Sequence, residues 1–209
     1  MNRFIILVAC VLACFSSSAQ DLGAYGFQIS LGYIPNTVFE GKLTSWSETL
    51  TMDGNVFNAK TSFYAFFNGK RNLLAIGAAI GANLHHYTIN DFRNPDNPLS
   101  IVKPDLANRS ITGWGLHIGP ALGFGSKRML ALIISPQIEF TNVKVGEQAT
   151  ANLNIPLNID VVIRGWASLG LTYRLLDTKV KDDNKSMEYN VQPNIEFRLS
   201  FFRLWRNNR

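Results

Sequence analysis

Long runs of strict alternation between apolar residues and small or polar ones, with almost no 3.6-residue periodicity, restrict this chain to extended strands. Residues 109–124 show the pattern most plainly. Trp114, Leu116, Ile118, Leu122 and Phe124 fall on one face, and Gly113, Gly115, His117, Gly119, Ala121 and Gly123 on the other. Successive side chains of a strand point to opposite faces, so each such run carries one apolar surface along its whole length. With 46% hydrophobic and 17% charged residues, the 209-residue chain is too apolar for a disordered tail. Beyond the N-terminus no run of 18 apolar residues occurs, which excludes a bundle of membrane helices.

The N-terminus is a separate object. Arg3 supplies a positive n-region, Phe4 to Phe15 an apolar stretch too short to span a bilayer, and Ser17-Ser18-Ala19 the small residues of a cleavage site. Residues 1–19 therefore read as a secretory signal, and residues 20–209 as one β-barrel domain beginning at Gln20. Both cysteines, Cys10 and Cys14, lie in the signal, so the mature chain is expected to hold no disulfide and no Cys metal site. The competing reading is a lipoprotein signal lipidated at Cys14.

Eight strands are predicted, at about 24–34, 56–68, 72–85, 109–124, 128–141, 151–163, 166–175 and 188–202. Tight turns at 68–71, 125–127 and 164–165 alternate with longer links at 35–55, 86–108, 142–150 and 176–187. Short turns on one side and long loops on the other are the pattern of a transmembrane barrel, whose termini share the short-turn side. Leu50 to Val56, with Asp53-Gly54 suited to a type I′ turn, would make ten strands. The preferred reading is an all-β, eight-stranded antiparallel up-and-down transmembrane β-barrel, with residues 43–57 as a hairpin projecting from the outer rim. Tyr25, Tyr33, Trp114, Phe124, Phe140, Tyr173, Phe201 and Trp205 are candidates for interface girdles.

The signal ending in Ser-Ala-Gln, the eight alternating strands and the loop pattern together resemble the small outer-membrane β-barrel proteins of Gram-negative bacteria, of the OmpA membrane-domain and OmpX type. The resemblance covers the mature chain and implies residence in the cell outer membrane, contact with outer-membrane lipids and lipopolysaccharide, and delivery by the barrel-assembly machinery. It carries over no functional residue. Family members often end on an aromatic residue, whereas here Arg206-Asn207-Asn208-Arg209 follows Trp205.

Charge placement divides the chain. Lys70, Arg71, Lys127, Arg128, Arg164, Arg203, Arg206 and Arg209 face only Asp21 on the predicted periplasmic rim, a basic edge suited to lipid phosphates. The basic residues ring an edge without an aromatic groove, so nucleic acid is not an expected partner. The predicted lumen holds Lys60, Arg174 and Arg198 with Glu139, Asp160 and Glu196, and His117 at mid-height. Glu139, Lys60 and Arg174 are placed toward the outer end, Asp160 and Arg198 toward the periplasmic end, and Glu196 between. Eight strands enclose a space about filled by side chains, and buried charges must pair, so these groups read as a salt-bridged plug; a gated path for small solutes is the other reading. Inward Gly and Ala leave room that Tyr64 and Phe66, opposite Gly77 and Ala75, are expected to fill.

No catalytic residue, cofactor or metal site is expected. His85-His86 at the edge of the 86–108 loop, with Asp91 and Ser100 nearby, is similar to the His and Ser of barrel lipid A acyltransferases and deacylases, the one enzymatic reading. The Pro- and Asx-rich 86–108 loop is a candidate for binding a surface ligand. Function thus reads as structural or as adhesion and partner binding through the outer loops. The alternative is a narrow porin-like channel, or a carrier for small or apolar molecules.

Overall fold

A computed structural model describes residues 25–43, 49–67, 74–93, 111–125, 130–182, 187–191 and 195–205. The predicted signal, most of the basic rim and the greater part of the 86–108 loop, Ser100 included, lie outside the described residues. The twelve strands are β1 (Tyr25–Leu43), β2 (Thr49–Phe67), β3 (Leu74–Arg93), β4 (Ile111–Gly125), β5 (Leu130–Pro136), β6 (Ile138–Val145), β7 (Gln148–Asn154), β8 (Pro156–Ile163), β9 (Ala167–Arg174), β10 (Thr178–Asp182), β11 (Met187–Val191) and β12 (Ile195–Trp205).

These form eight staves, because β5 continues into β6, β7 into β8, β9 into β10 and β11 into β12. The β4–β5–β6 and β5–β8, β6–β7 ladders keep one register across the interruptions at Gln137 and Ile155. Pro120, Pro136 and Pro156 cluster there, and a proline has no N–H to give a ladder. All pairings are antiparallel between neighbours. β1 pairs both β2 and the last stave, with Tyr25 opposite Ala65 and Trp205, so the sheet closes on itself.

The strands run well past the predicted ends. β1 and β2 stay paired from Thr37 opposite Gly54 to Lys42 opposite Thr49. Asp53-Gly54 is therefore no turn, and there is no ten-strand arrangement. It marks a bulge in the β2–β3 pairing, where Asp53 faces Asp91 and Gly54 faces Ile89. The described residues of 43–57 do not form a free hairpin either, since β11 pairs with Leu43 and β3 with residues 51–57, while 44–48 lie outside the described residues. A second bulge at Pro35-Asn36 shifts the β1–β2 register, and Asn55 Oδ1 accepts from Asn36 N at 3.3 Å and from Tyr33 Oη at 3.1 Å. The predicted 142–150 loop is the β6–β7 hairpin, turned by Gly146 and Glu147, with Gly146 at φ 60°. At the opposite rim Arg164-Gly165, both at positive φ, make the expected tight turn.

Outward and inward faces alternate along every stave. The outside carries a band of exposed large apolar side chains, among them Leu31, Ile80, Leu116, Leu169 and Leu199. Tyr25, Phe63, Phe67, Trp166 and Phe201 edge it toward the rim that holds Tyr25 and Trp205, called the near rim below. Tyr33, Phe57, Trp114, Phe140 and Tyr173 edge it toward the far rim. From Tyr25 to Tyr33 is eight residues, which at about 3.4 Å each and a tilt of about 40° rises about 20 Å.

Candidate functional site: the layered interior and the far rim

The interior is stratified. Near-rim positions hold an apolar cluster of Tyr64, Phe66, Ala75, Ala79, Ala121, Ala131, Ile133, Val162 and Phe202. Tyr64 stacks with Phe66 at 6.0 Å and meets Phe202 at 5.4 Å between ring centroids. The expected filling by Tyr64 and Phe66 occurs with a two-residue change of register: they pair with Ala79 and Gly77. A second apolar cluster, of Ile34, Phe39, Val56, Tyr87, Ile111, Val143, Val145, Val180 and Val191, closes the interior at the far rim. Sequence reading missed this layer. Val143, Val145 and Val180 fall in segments assigned to loops.

Between the clusters lies a polar layer containing every predicted lumen charge. Arg198 donates to Asp160 Oδ2 at 2.9 Å, with both side chains wholly buried. Gln28 Nε2 donates to Asp160 Oδ1 at 3.0 Å, and Tyr64 Oη to Gln28 Oε1 at 2.9 Å, tying the polar layer to the near-rim cluster. Arg174 donates to Glu196 Oε2 at 2.7 Å and approaches Glu139 at 3.9 Å. Glu196 also accepts from Asn58 at 2.9 Å, and Glu139 from Thr141 at 2.9 Å. Lys60 crosses the lumen to donate to Gln137 Oε1 at 2.8 Å and Asn158 Oδ1 at 3.1 Å. His117 Nε2 lies 3.1 Å from Ser62 Oγ. Three acids thus balance three bases and each makes at least one hydrogen bond, while Arg198 Nε and Nη1, both amide atoms of Asn83 and His117 Nδ1 find no partner among the described residues.

The inward glycines are the seats of this layer. Gly170 of β9 lies in register between Asp160 of β8 and Arg198 of β12. A Cβ there would overlap Asp160 and sit 3.1 Å from Arg198. Gly32 of β1 lies between Asn58 and Arg198, and the carboxylate of Glu196 fills the space its side chain would take. Gly81 separates Ser62 from His117 in the same way. Each bare glycine lets polar side chains from the two flanking strands meet across it. The room at these three glycines is taken by neighbouring polar groups.

His85 is buried and His86 exposed, so the pair does not share a face. His85 Nε2 is 3.6 Å from Glu139 Oε1, beyond hydrogen-bond length. The side chain of Asp91 and all of Ser100 lie outside the described residues. Of the basic near-rim set, Arg164 and Arg203 are described and both are exposed; Lys70, Arg71, Lys127, Arg128, Arg206 and Arg209 lie outside. Of the aromatic candidates, Phe124 is half-buried, while nothing is described of the Trp205 side chain.

Eight staves joined only to their neighbours, closure between first and last, and an apolar exterior make up one known architecture. This is the small outer-membrane barrel fold. No protein-family model matches the barrel, and no curated protein matches it. Among solved structures, Neisserial surface protein A is similar over 85% of this chain and 96% of its own, at 9% identity and a TM-score of 0.40. Ail, the attachment invasion locus protein of Yersinia pestis, in complex with the heparin analogue sucrose octasulfate, covers 86% of this chain and 99% of its own at 9% identity and a TM-score of 0.36. Ail in a phospholipid bilayer nanodisc covers the same shares at 11% identity and a TM-score of 0.37.

Proposed function

We propose that this is a non-enzymatic outer-membrane barrel with a closed lumen, whose function lies on its far rim in structural or partner-binding work at the cell surface. The near rim then faces the periplasm. The observation that carries the reading is the layered interior: two apolar clusters cover a neutral, hydrogen-bonded polar layer from both sides. An ion entering from either rim would have to cross an apolar layer and then break buried pairs, each costing several kcal/mol. The exposed apolar band supplies the membrane-facing surface, for outer-membrane lipids and lipopolysaccharide. Basic residues at the near rim suit lipid phosphates, and barrel-assembly machinery is the expected route of insertion.

The test is single-channel conductance of the refolded barrel in a planar bilayer, with Arg174→Ala and Arg198→Ala alongside. A silent membrane, with a heat-modifiable folded band on a gel, supports the reading. Steady steps in the wild type that the substitutions enlarge would overturn it in favour of a narrow channel.

A further inference from the structure

Several side-chain atoms of the interior are buried and have no hydrogen-bond partner among the described residues. The donors are Arg198 Nε and Nη1 and Asn83 Nδ2, and the acceptors are the amide oxygens of Asn58 and Asn83. His85 Nε2 and His117 Nδ1, each donor or acceptor according to tautomer, complete the set. Gly81, Asn83 and His85 are successive inward residues of β3. Gly81 pairs with His117 of β4, and His85 with Asn58 of β2. Gly32 of β1 separates Asn58 from Arg198 of β12. The unpartnered atoms therefore lie along one belt of the inner wall, from β12 across β1, β2 and β3 to β4. At the far-rim end of this belt is a cavity of about 10 Å³. His85, Tyr87, Arg174 and Thr178 line it together with apolar side chains, Val56 and Val191 among them.

We infer that this belt is a hydration site, filled by ordered water molecules that belong to the plug, one of them in the cavity between His85 and Arg174. Buried water typically makes about three hydrogen bonds to polar groups that otherwise lack partners. The chemistry of the occupant follows from the mixture of those groups. A cation would answer only the acceptors and an anion only the donors, whereas water answers both. Charge gives the same result. Three acids already cancel three bases in this layer, so a lone ion would be buried without a counter-charge. Size agrees as well, because about 10 Å³ is the room that a single water needs. The water in the cavity accepts from Arg174 and donates to His85 Nε2, which places the imidazole proton on Nδ1. The 3.6 Å between His85 Nε2 and Glu139 Oε1 is likewise a spacing that a water spans. The inference deepens the closed-lumen reading and rests on it: water between two apolar clusters is held in place.

The test uses the chain from Gln20 onward, refolded in nanodiscs of deuterated lipid with isotope-labelled Asn and His, and water itself is the probe. Dipolar cross-peaks from water to the Asn83 amide protons and the His85 ring protons are expected. They should persist when sodium chloride is replaced by choline gluconate. Asn83→Leu should lower the number of long-lived waters, counted by magnetic relaxation dispersion of water oxygen. His85→Leu should do the same while leaving the Asn83 cross-peaks in place. Absence of cross-peaks at both residues in the folded wild type, their loss in the choline salt, or an unchanged water count in folded Asn83→Leu would overturn the inference. The wild-type and salt measurements decide it even if neither variant folds. Steady conductance with the cross-peaks in place would overturn the closed-lumen reading alone. A silent membrane without the cross-peaks would overturn this inference alone.

Discussion

Asp160, Gly170 and Arg198 show how single residues set the interior. The ion pair forms only because the residue between its partners has no side chain. Asp160→Ala would leave Arg198 buried without its carboxylate and is expected to cost about 3–5 kcal/mol in denaturant unfolding of the refolded barrel. The double change Asp160→Leu with Arg198→Met should recover most of that loss, since an apolar pair of similar volume carries no desolvation penalty. Gly170→Ala, with both charges kept, should cost about 1–3 kcal/mol by forcing the pair apart. The charged members of the layer were legible in the sequence, because a Lys, Arg, Asp or Glu on the small-residue face of a strand has only the lumen to enter. The role of Gly32, Gly81 and Gly170 was not. It depends on which residues lie opposite on two neighbouring strands, and that register exists only once the barrel has closed.

At the level of elements, the predicted strands ended where the apolar outward face ended. β3 exposes Ile76, Ile80 and Leu84 and then His86, and its predicted strand stops at residue 85, whereas the strand predicted at 109–124 already runs past Thr112 to the observed start of β4. Beyond the band the outward residues are polar and the inward ones apolar, as with Lys144 beside Val143 and Val145, or Lys179 and Lys181 around Val180. The alternation continues there with its meaning reversed, so a search for outward apolar faces reads the continuation as loop. The bulge at Pro35-Asn36 compounds this by moving the inward set from Ile34 to Thr37 and Phe39. Asp53-Gly54 misled for a related reason: Gly54 packs against the Thr88 carbonyl and Phe39 within a bulged strand, a close approach that also requires glycine. The seam between β7 and β10, bridged among the described residues by the Asn152 and Thr150 side chains, should be the least protected part of the wall. Asn152→Ala is expected to accelerate amide hydrogen exchange at Lys179 and Lys181 while leaving the β8–β9 ladder unchanged, as measured residue by residue in nanodiscs.

For the whole molecule, the outer band and the inner layers impose opposite demands on substitution. Leu199→Arg, on the exposed band, should cost about 2–4 kcal/mol in lipid-based unfolding, whereas Lys181→Arg beyond the band should cost nothing measurable. The fold class was legible because both faces of the wall repeat over eight staves. The far-rim apolar layer was not, since it is assembled from the ends of strands far apart in the chain, and of the near-rim layer only Tyr64 and Phe66 were. The polar layer has a further consequence for how such a molecule is made. Gln28 of the first stave bonds Asp160 of the sixth, and Lys60 of the second reaches Gln137 and Asn158 on the fifth and sixth. An unclosed sheet holds these groups apart, with unanswered charge and free edges facing whatever surrounds it. In water that state is tolerable; in hydrocarbon it is not. The chain therefore cannot slide into the bilayer hairpin by hairpin and finish there. Closure must precede or accompany entry, and a copy that fails to join its first and last staves is turned away by the lipid itself.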